Sequence, residues 1–284
     1  MTQKRATPTI KRRRVGGQLR RWRGNVKTGD AARLMGWDAT RLSRIERGTY
    51  RISADEVRTF CSKLGVNDPA GIEEVARVAD EPLGEGWWAA YAGRIGQNYL
   101  DFIELEADAE SLQLQHPVIV PGLLQSPGYV REMITRAPTA VSPAHAEMLV
   151  SIRLARQAVL SKATRLHALV PESALHAKFE SGPAIMRDQI RKLLDASQMS
   201  NVELQLIPLT THPTYGSNGA ITVLSYKHPW AKVASVDNPM GGNHTDDGKQ
   251  VSFLEMEFAA IAEIALPVDK TRDLLNEYLE GLHQ

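Results

Sequence analysis

A single cysteine, Cys61, stands among the 284 residues, so no internal disulfide framework can form. It falls in an apolar helical pattern with Val57, Phe60 and Leu64, which reads it as a small buried hydrophobe rather than a reactive thiol. The eight histidines are scattered, without H-E-x-x-H or zinc-knuckle spacing, and His212, His228 and His244 sit among loop residues, where solvent is a better expectation than metal. Glu172 with His167 or His176 could suggest an acid–base pair, but neither a nucleophile elbow nor a P-loop accompanies it. The expectation is therefore a protein that is not an enzyme and holds no cofactor or metal. No apolar run approaches the ~18–20 residues needed to span a bilayer. The basic N-terminus is not followed by the hydrophobic segment of a signal peptide. A soluble cytoplasmic protein is expected, nucleoid-associated when bound to DNA.

Basic charge is plentiful, and it is unevenly placed. Residues 1–66 hold 17 Lys/Arg against 5 Asp/Glu, a net of +12, whereas residues 67–284 hold 17 against 28, a net of −11. The overall +1 conceals a split that assigns a polyanion to one part and a different task to the other. Lys4, Arg5 and the run Lys11 to Arg14 could be a solvated tail, but basic residues continue through the patterned region at Arg20, Arg21, Arg23, Lys27, Arg33, Arg41, Arg44, Arg47 and Arg51. That continuation is a nucleic-acid footprint.

The same region has the punctuation of a small helical bundle. Val15, Leu19 and Trp22 share one helix face. A short second helix, 28–35, has Ala31, Ala32 and Met35 on its apolar side and ends at Gly36, since glycine enters the left-handed conformation cheaply. Trp37 is a core residue of the turn, and Asp38 can cap a third helix, 39–47, with Leu42 and Ile45 facing inward. Gly48 stops it. Ser53 with Glu56 three residues later has capping-box spacing for a fourth helix, which buries Val57, Phe60, Cys61 and Leu64 before Gly65.

Two short helices joined by a glycine turn within about 50 residues make a helix-turn-helix. The run from Ala32 to Gly48, and above all L-S-R-I-E-R-G at its end, resembles the XRE/Cro/C1-type phage-repressor family over residues 12–66. The resemblance implies that Glu46 pairs with an arginine of the first or second helix. It departs at Thr28, where the family often carries Gln; a threonine hydroxyl or helix N–H groups would bind phosphate there instead. In such a geometry the third helix enters the major groove. Ala39, Thr40 and Arg44 face the bases, Arg44 able to grip guanine O6 and N7 for about 1–3 kcal/mol of discrimination. Arg41, Ser43, Arg47 and Arg51 are placed for phosphates. For each arginine the alternative is a surface ion pair, worth about 0–1 kcal/mol. Arg12 to Arg14 precede the first helix in this reading and would follow the backbone, enter the minor groove, or remain a solvated tail.

Beyond Val66 a helix at 70–79 and a Pro/Gly linker lead to an aromatic cluster, Trp87, Trp88 and Tyr91, in a helical pattern that Phe102, Leu105 and Ala109 extend to about residue 114. The cluster reads as core or interdomain seam, with a ligand cage or partner surface as the alternative. Further helices are expected at 127–136, 143–161, 184–197, 248–265 and after Pro267, and strands at 165–170, 202–207, 220–226 and 232–236. Residues 241–248 read as a polar loop or hairpin. The stretches E-L-E-A-D-A (104–109), V-P-G-L-L-Q-S-P-G-Y (120–129) and R-L-A-R-Q (153–157) resemble the domain of unknown function that follows the helix-turn-helix in many actinomycete regulators. Those include the WhiJ-like developmental regulators of streptomycetes and toxin–antitoxin-like relatives. That resemblance implies a small acidic partner protein, often encoded nearby.

The expected organisation is a basic flexible arm at 1–14, an all-α helix-turn-helix domain at 15–66, a linker helix and linker at 67–84, and an α+β regulatory or partner-binding domain at 85–284. The expected function is sequence-specific transcriptional regulation on double-stranded DNA as a homodimer, controlled through a protein partner or small ligand, with no membrane. The alternative is an antitoxin-like protein that neutralises a small partner and autoregulates its operon.

Overall fold

The computed structural model describes residues 9–81, 86–137, 142–212, 219–237 and 242–282. The chain divides into two units, Met1–Leu105 with Tyr226–Ala231, and Glu106–Ser225 with Lys232–Gln284. The architecture is a helical N-terminal region followed by a C-terminal region of mixed sheet and helices.

In the N-terminal unit the helices are α1 (Ile10–Arg23), α2 (Thr28–Leu34), α3 (Ala39–Glu46), α4 (Ala54–Lys63), α5 (Pro69–Asp80) and most of α6 (Gln97–Ala107). Side-chain caps start them where expected. Asp38 accepts from Arg41 N, and Ser53 and Glu56 form a reciprocal capping box, each satisfying N–H groups that a helix start leaves open. Val15, Leu19, Ala31, Ala32, Leu42, Ile45, Val57, Phe60 and Cys61 make one core. Burial pushes the Cys61 thiol up to about 12, as a small interior hydrophobe requires.

Two boundaries differ from the expectation. Thr9 caps α1, so Lys11 to Arg14 are helical rather than part of an arm; residues 1–8 lie outside the described residues. The expected linker helix is α5, an integral part of the bundle: Val75 and Ala76 are fully buried in its core. The aromatic cluster forms a 3₁₀ turn, Trp87–Tyr91, rather than an α-helix.

The C-terminal unit is built on a six-stranded sheet of order β3-β2-β1-β4-β5-β6. The strands are β1 (Ser111–Gln115), β2 (Arg165–Pro171), β3 (Val202–Ile207), β4 (Ile221–Ser225), β5 (Val233–Val236) and β6 (Asn243–Thr245). β1, β2 and β3 run parallel, and β4, β5 and β6 continue antiparallel from β1. Parallel neighbours need crossovers; α7 (Pro127–Thr135) and α8 (Pro143–Arg156) supply the first and α9 (Ala184–Ser197) the second. α10 (Gly248–Ile264) lays Val251, Leu254, Phe258 and Ile261 on Leu169, Ile221, Val223 and Ala234. α11 (Val268–Gly281) packs on α9 and β3.

The three distinctive C-terminal stretches meet in a hydrogen-bonded frame. Arg156 grips Glu106 with two bonds of 2.8 and 2.7 Å, a pair almost wholly buried. Gln157 Nε2 donates to the carbonyls of Gly122 and Gln125 at 3.1 and 2.8 Å. Gln125 Nε2 returns a bond to Val120 O at 2.7 Å. These residues satisfy the polar backbone of an irregular buried segment, which is the condition for burying one.

Candidate nucleic-acid interface

The pair α2–α3 is joined by a turn in which Gly36 takes φ +71°. Its left-handed backbone lets Trp37 N return to Ala32 O at 2.9 Å, so α3 leaves at a fixed angle. α1 holds α3 from behind. A Cβ on Gly16 would lie 2.3 Å from Ile45 O and 2.7 Å from Glu46 O, so only glycine permits this crossing. Arg23 closes the same contact, its Nε and Nη2 donating to Glu46 at 2.6 and 3.0 Å. The carboxylate raises the arginine pKa above its usual value. Glu46 is therefore a structural partner of an α1 arginine, as the family resemblance implied.

With its inner side fixed, α3 turns Ala39, Thr40, Arg44 and Arg47 outward; all four are exposed and Ser43 is half-buried among them. Thr40, Arg44 and Arg47 are spaced by four and three residues, which is one helical stripe. Arg47 Nε donates to Ser43 O at 3.1 Å, leaving the rest of its guanidinium outward. Among the described residues, the Arg44 guanidinium forms no ion pair or hydrogen bond; the Arg44 carbonyl accepts from the Thr49 hydroxyl at 3.1 Å. Arg51 is exposed in the segment after α3. Burial of Arg12, and to a lesser extent the charge of Arg51, lower the Arg12 pKa below its usual value. Thr28 opens α2, half-buried.

Arg41 sits differently from the phosphate position foreseen for it. Its Nη2 pairs with Glu56 and its guanidinium lies 4.2 Å from the Trp37 ring centroid. Arg41 thereby ties α3 to α4, and Trp37 and Trp22 are packed on the core. Position in the sequence could not separate Arg41 from Arg44, because the acidic partner is 15 residues away.

Arg14, expected with Arg12 and Arg13 ahead of the first helix, on the DNA backbone, in the minor groove or in a solvated tail, lies instead within α1. Its guanidinium lies 4.0 Å from the ring centroid of Tyr226 and 4.9 Å from that of Trp230. The cluster Lys227 to Trp230, an aromatic beside a proline turn, was the only local sign.

A helix-turn-helix domain family matches residues 14–75, covering this interface, and a family described as a domain of unknown function, DUF5753, matches residues 99–277. No curated protein and no solved structure matches the chain.

Proposed function

We propose that this chain, which belongs to the DUF5753 family and carries a helix-turn-helix domain ahead of it, is a sequence-specific transcriptional regulator that reads the major groove with α3. The observation that carries this reading is the outward stripe Thr40–Arg44–Arg47, in a helix whose other charged groups are committed to α1 and α4. Thr40 and Arg44 read bases; Arg47, Arg51 and the α2 start at Thr28 meet phosphates. A reader of this size covers few base pairs, so a homodimer on paired half-sites is the operating form. The C-terminal region, acidic where the reader is basic, sets when α3 is used by binding a protein partner or a small ligand.

Selection of bound duplexes from a random pool, followed by competition binding, tests the reading. Arg44→Ala is expected to relax preference at one position of the selected site, at a cost of about 1–3 kcal/mol. Arg47→Ala weakens binding to selected and random duplexes alike. Equal losses on both duplexes for Arg44→Ala would remove it from the reading role. Mass spectrometry of the purified chain tests the control region; a stoichiometric small acidic protein whose activity the chain blocks would replace regulation by the antitoxin-like alternative as the main task.

A further inference from the structure

Six residues from far along the chain, Tyr226–Ala231, belong to the N-terminal unit. They connect β4 to β5 and are anchored at four points. Tyr226 and Trp230 enclose the Arg14 guanidinium of α1, with centroid distances of 4.0 and 4.9 Å. The Trp230 indole N–H donates to Glu74 of α5 at 3.2 Å, and its ring packs on the helical core. His228 Nε2 lies 2.8 and 2.9 Å from the two carboxylate oxygens of Asp68, the residue that caps α5. This contact holds the Asp68 pKa below the usual carboxylate range. The Tyr226 hydroxyl donates to Leu105 O of α6 at 3.2 Å.

Arg14 occupies a particular place on α1. Its neighbour Arg13 pairs with Asp101 of α6, and Arg13 N lies 2.7 Å from where a Cβ of Gly48 would stand, just beyond α3. Two residues later Gly16 presses on the carbonyls of Ile45 and Glu46. The segment 13–16 therefore takes the strap on one side and the end of the reading helix on the other.

We propose that residues 226–231 are a positioning strap of the DNA reader: by clamping Arg14 between Tyr226 and Trp230 they fix α1, and through α1 they fix the placement of α3. The inference rests on the reading of α3 as the DNA-contacting helix. It makes the reader discontinuous in sequence, completed by a segment about 150 residues beyond α5 that neither the basic charge nor the helix-turn-helix match covers.

The test uses the full chain and two duplexes, one selected from a random pool by the wild type and one of scrambled sequence. A cation held between two aromatic faces contributes on the scale of about tenfold in an equilibrium. Trp230→Ala is expected to lower affinity for the selected duplex about tenfold or more, to change affinity for the scrambled duplex by less than about threefold, and to leave the helical circular dichroism intact. Amide hydrogen exchange across residues 39–46, measured without DNA, is expected to quicken. Trp230→Phe keeps a ring face over Arg14 and is expected to stay within about threefold of wild type. If Trp230→Ala does not fold, Arg14→Gln removes the cation while leaving the strap, and the same split is expected. Wild-type affinity with unchanged exchange in whichever of these two variants folds overturns the proposal, as do equal losses on both duplexes. A wild type that prefers no duplex defeats the reading of α3 instead, while the exchange measurement still decides whether the strap holds that helix.

Discussion

Gly16 and Gly29 are both helical glycines in the reader, and their surroundings give opposite expectations for the same substitution. At Gly16 the space for a Cβ is already taken by two backbone carbonyl oxygens, at 2.3 and 2.7 Å. Neither can rotate away as a side chain would, so alanine must push α1 off α3, lengthening the Arg23–Glu46 bonds as it does so. Overpacking of this kind costs about 1–3 kcal/mol, and the rigid partner places Gly16→Ala at about 3. At Gly29, within α2, nothing lies within 4 Å of the added atom. There alanine only restricts the unfolded chain and favours the helix, a gain of about 0.5–1 kcal/mol. Urea titration is expected to show the midpoint falling for Gly16→Ala and rising for Gly29→Ala. A neutral Gly16→Ala would mean that the α1–α3 crossing is not held as closely as the geometry has it.

β1 shows what a sequence hides at the level of an element. Ser-Leu-Gln-Leu-Gln has only two apolar residues, yet it occupies the middle of a sheet, between β2 and β4, where a near-continuous apolar run is the rule. Read by periodicity, it continued the helical stripe of α6. Gln115 is the cause: it is 2% exposed, stands in register between Leu169 and Ile221, and among the described residues both its amide atoms are buried without a hydrogen-bond partner. An orphaned buried amide costs about 1–3 kcal/mol. Gln115→Leu, close in volume and apolar like its neighbours, is therefore expected to raise stability by about 1–2 kcal/mol, read as a higher urea midpoint with an unchanged slope. A loss of stability would show that the amide has a partner in solution. By contrast, β3 was legible to the residue, and β2 and β4 nearly so, because Val202–Ile207 and its neighbours carry apolar alternation between clear turns. The helix starts at Asp38 and Ser53 were legible for a local reason, since a cap lies within three residues of the N–H it satisfies. The outward face of α3 was legible through Leu42 and Ile45, which fix its inward side. The Arg41–Glu56 pair, the six-residue strap and the three-residue β6 were not. Each depends on chain segments brought together by folding, or is too short to set a period.

At the scale of the whole molecule, the charge split acquires a more definite meaning once paired groups are set aside. Of the basic residues in the first 66, Arg23 is committed to Glu46, Arg33 to Asp30, Arg41 to Glu56 and Arg58 to Asp55 and Glu73. Arg20, Lys27, Arg44, Arg47 and Arg51 remain exposed, and among the described residues none of these five forms an ion pair with a carboxylate. Each phosphate neutralised on duplex DNA releases condensed counterions, so the logarithm of affinity falls against the logarithm of salt with a slope of about −0.9 per contact. Five such contacts set a slope of roughly −4.5 for a scrambled duplex. The acidic remainder of the chain, net −11, acts oppositely only within a Debye length, about 8 Å at physiological salt, and so trims the slope little above that ionic strength. Fluorescence anisotropy at increasing potassium chloride is expected to give this dependence, and Arg47→Ala is expected to make the slope shallower by about one. A slope near zero, or one indifferent to Arg47, would mean that the basic half serves something other than a nucleic-acid backbone.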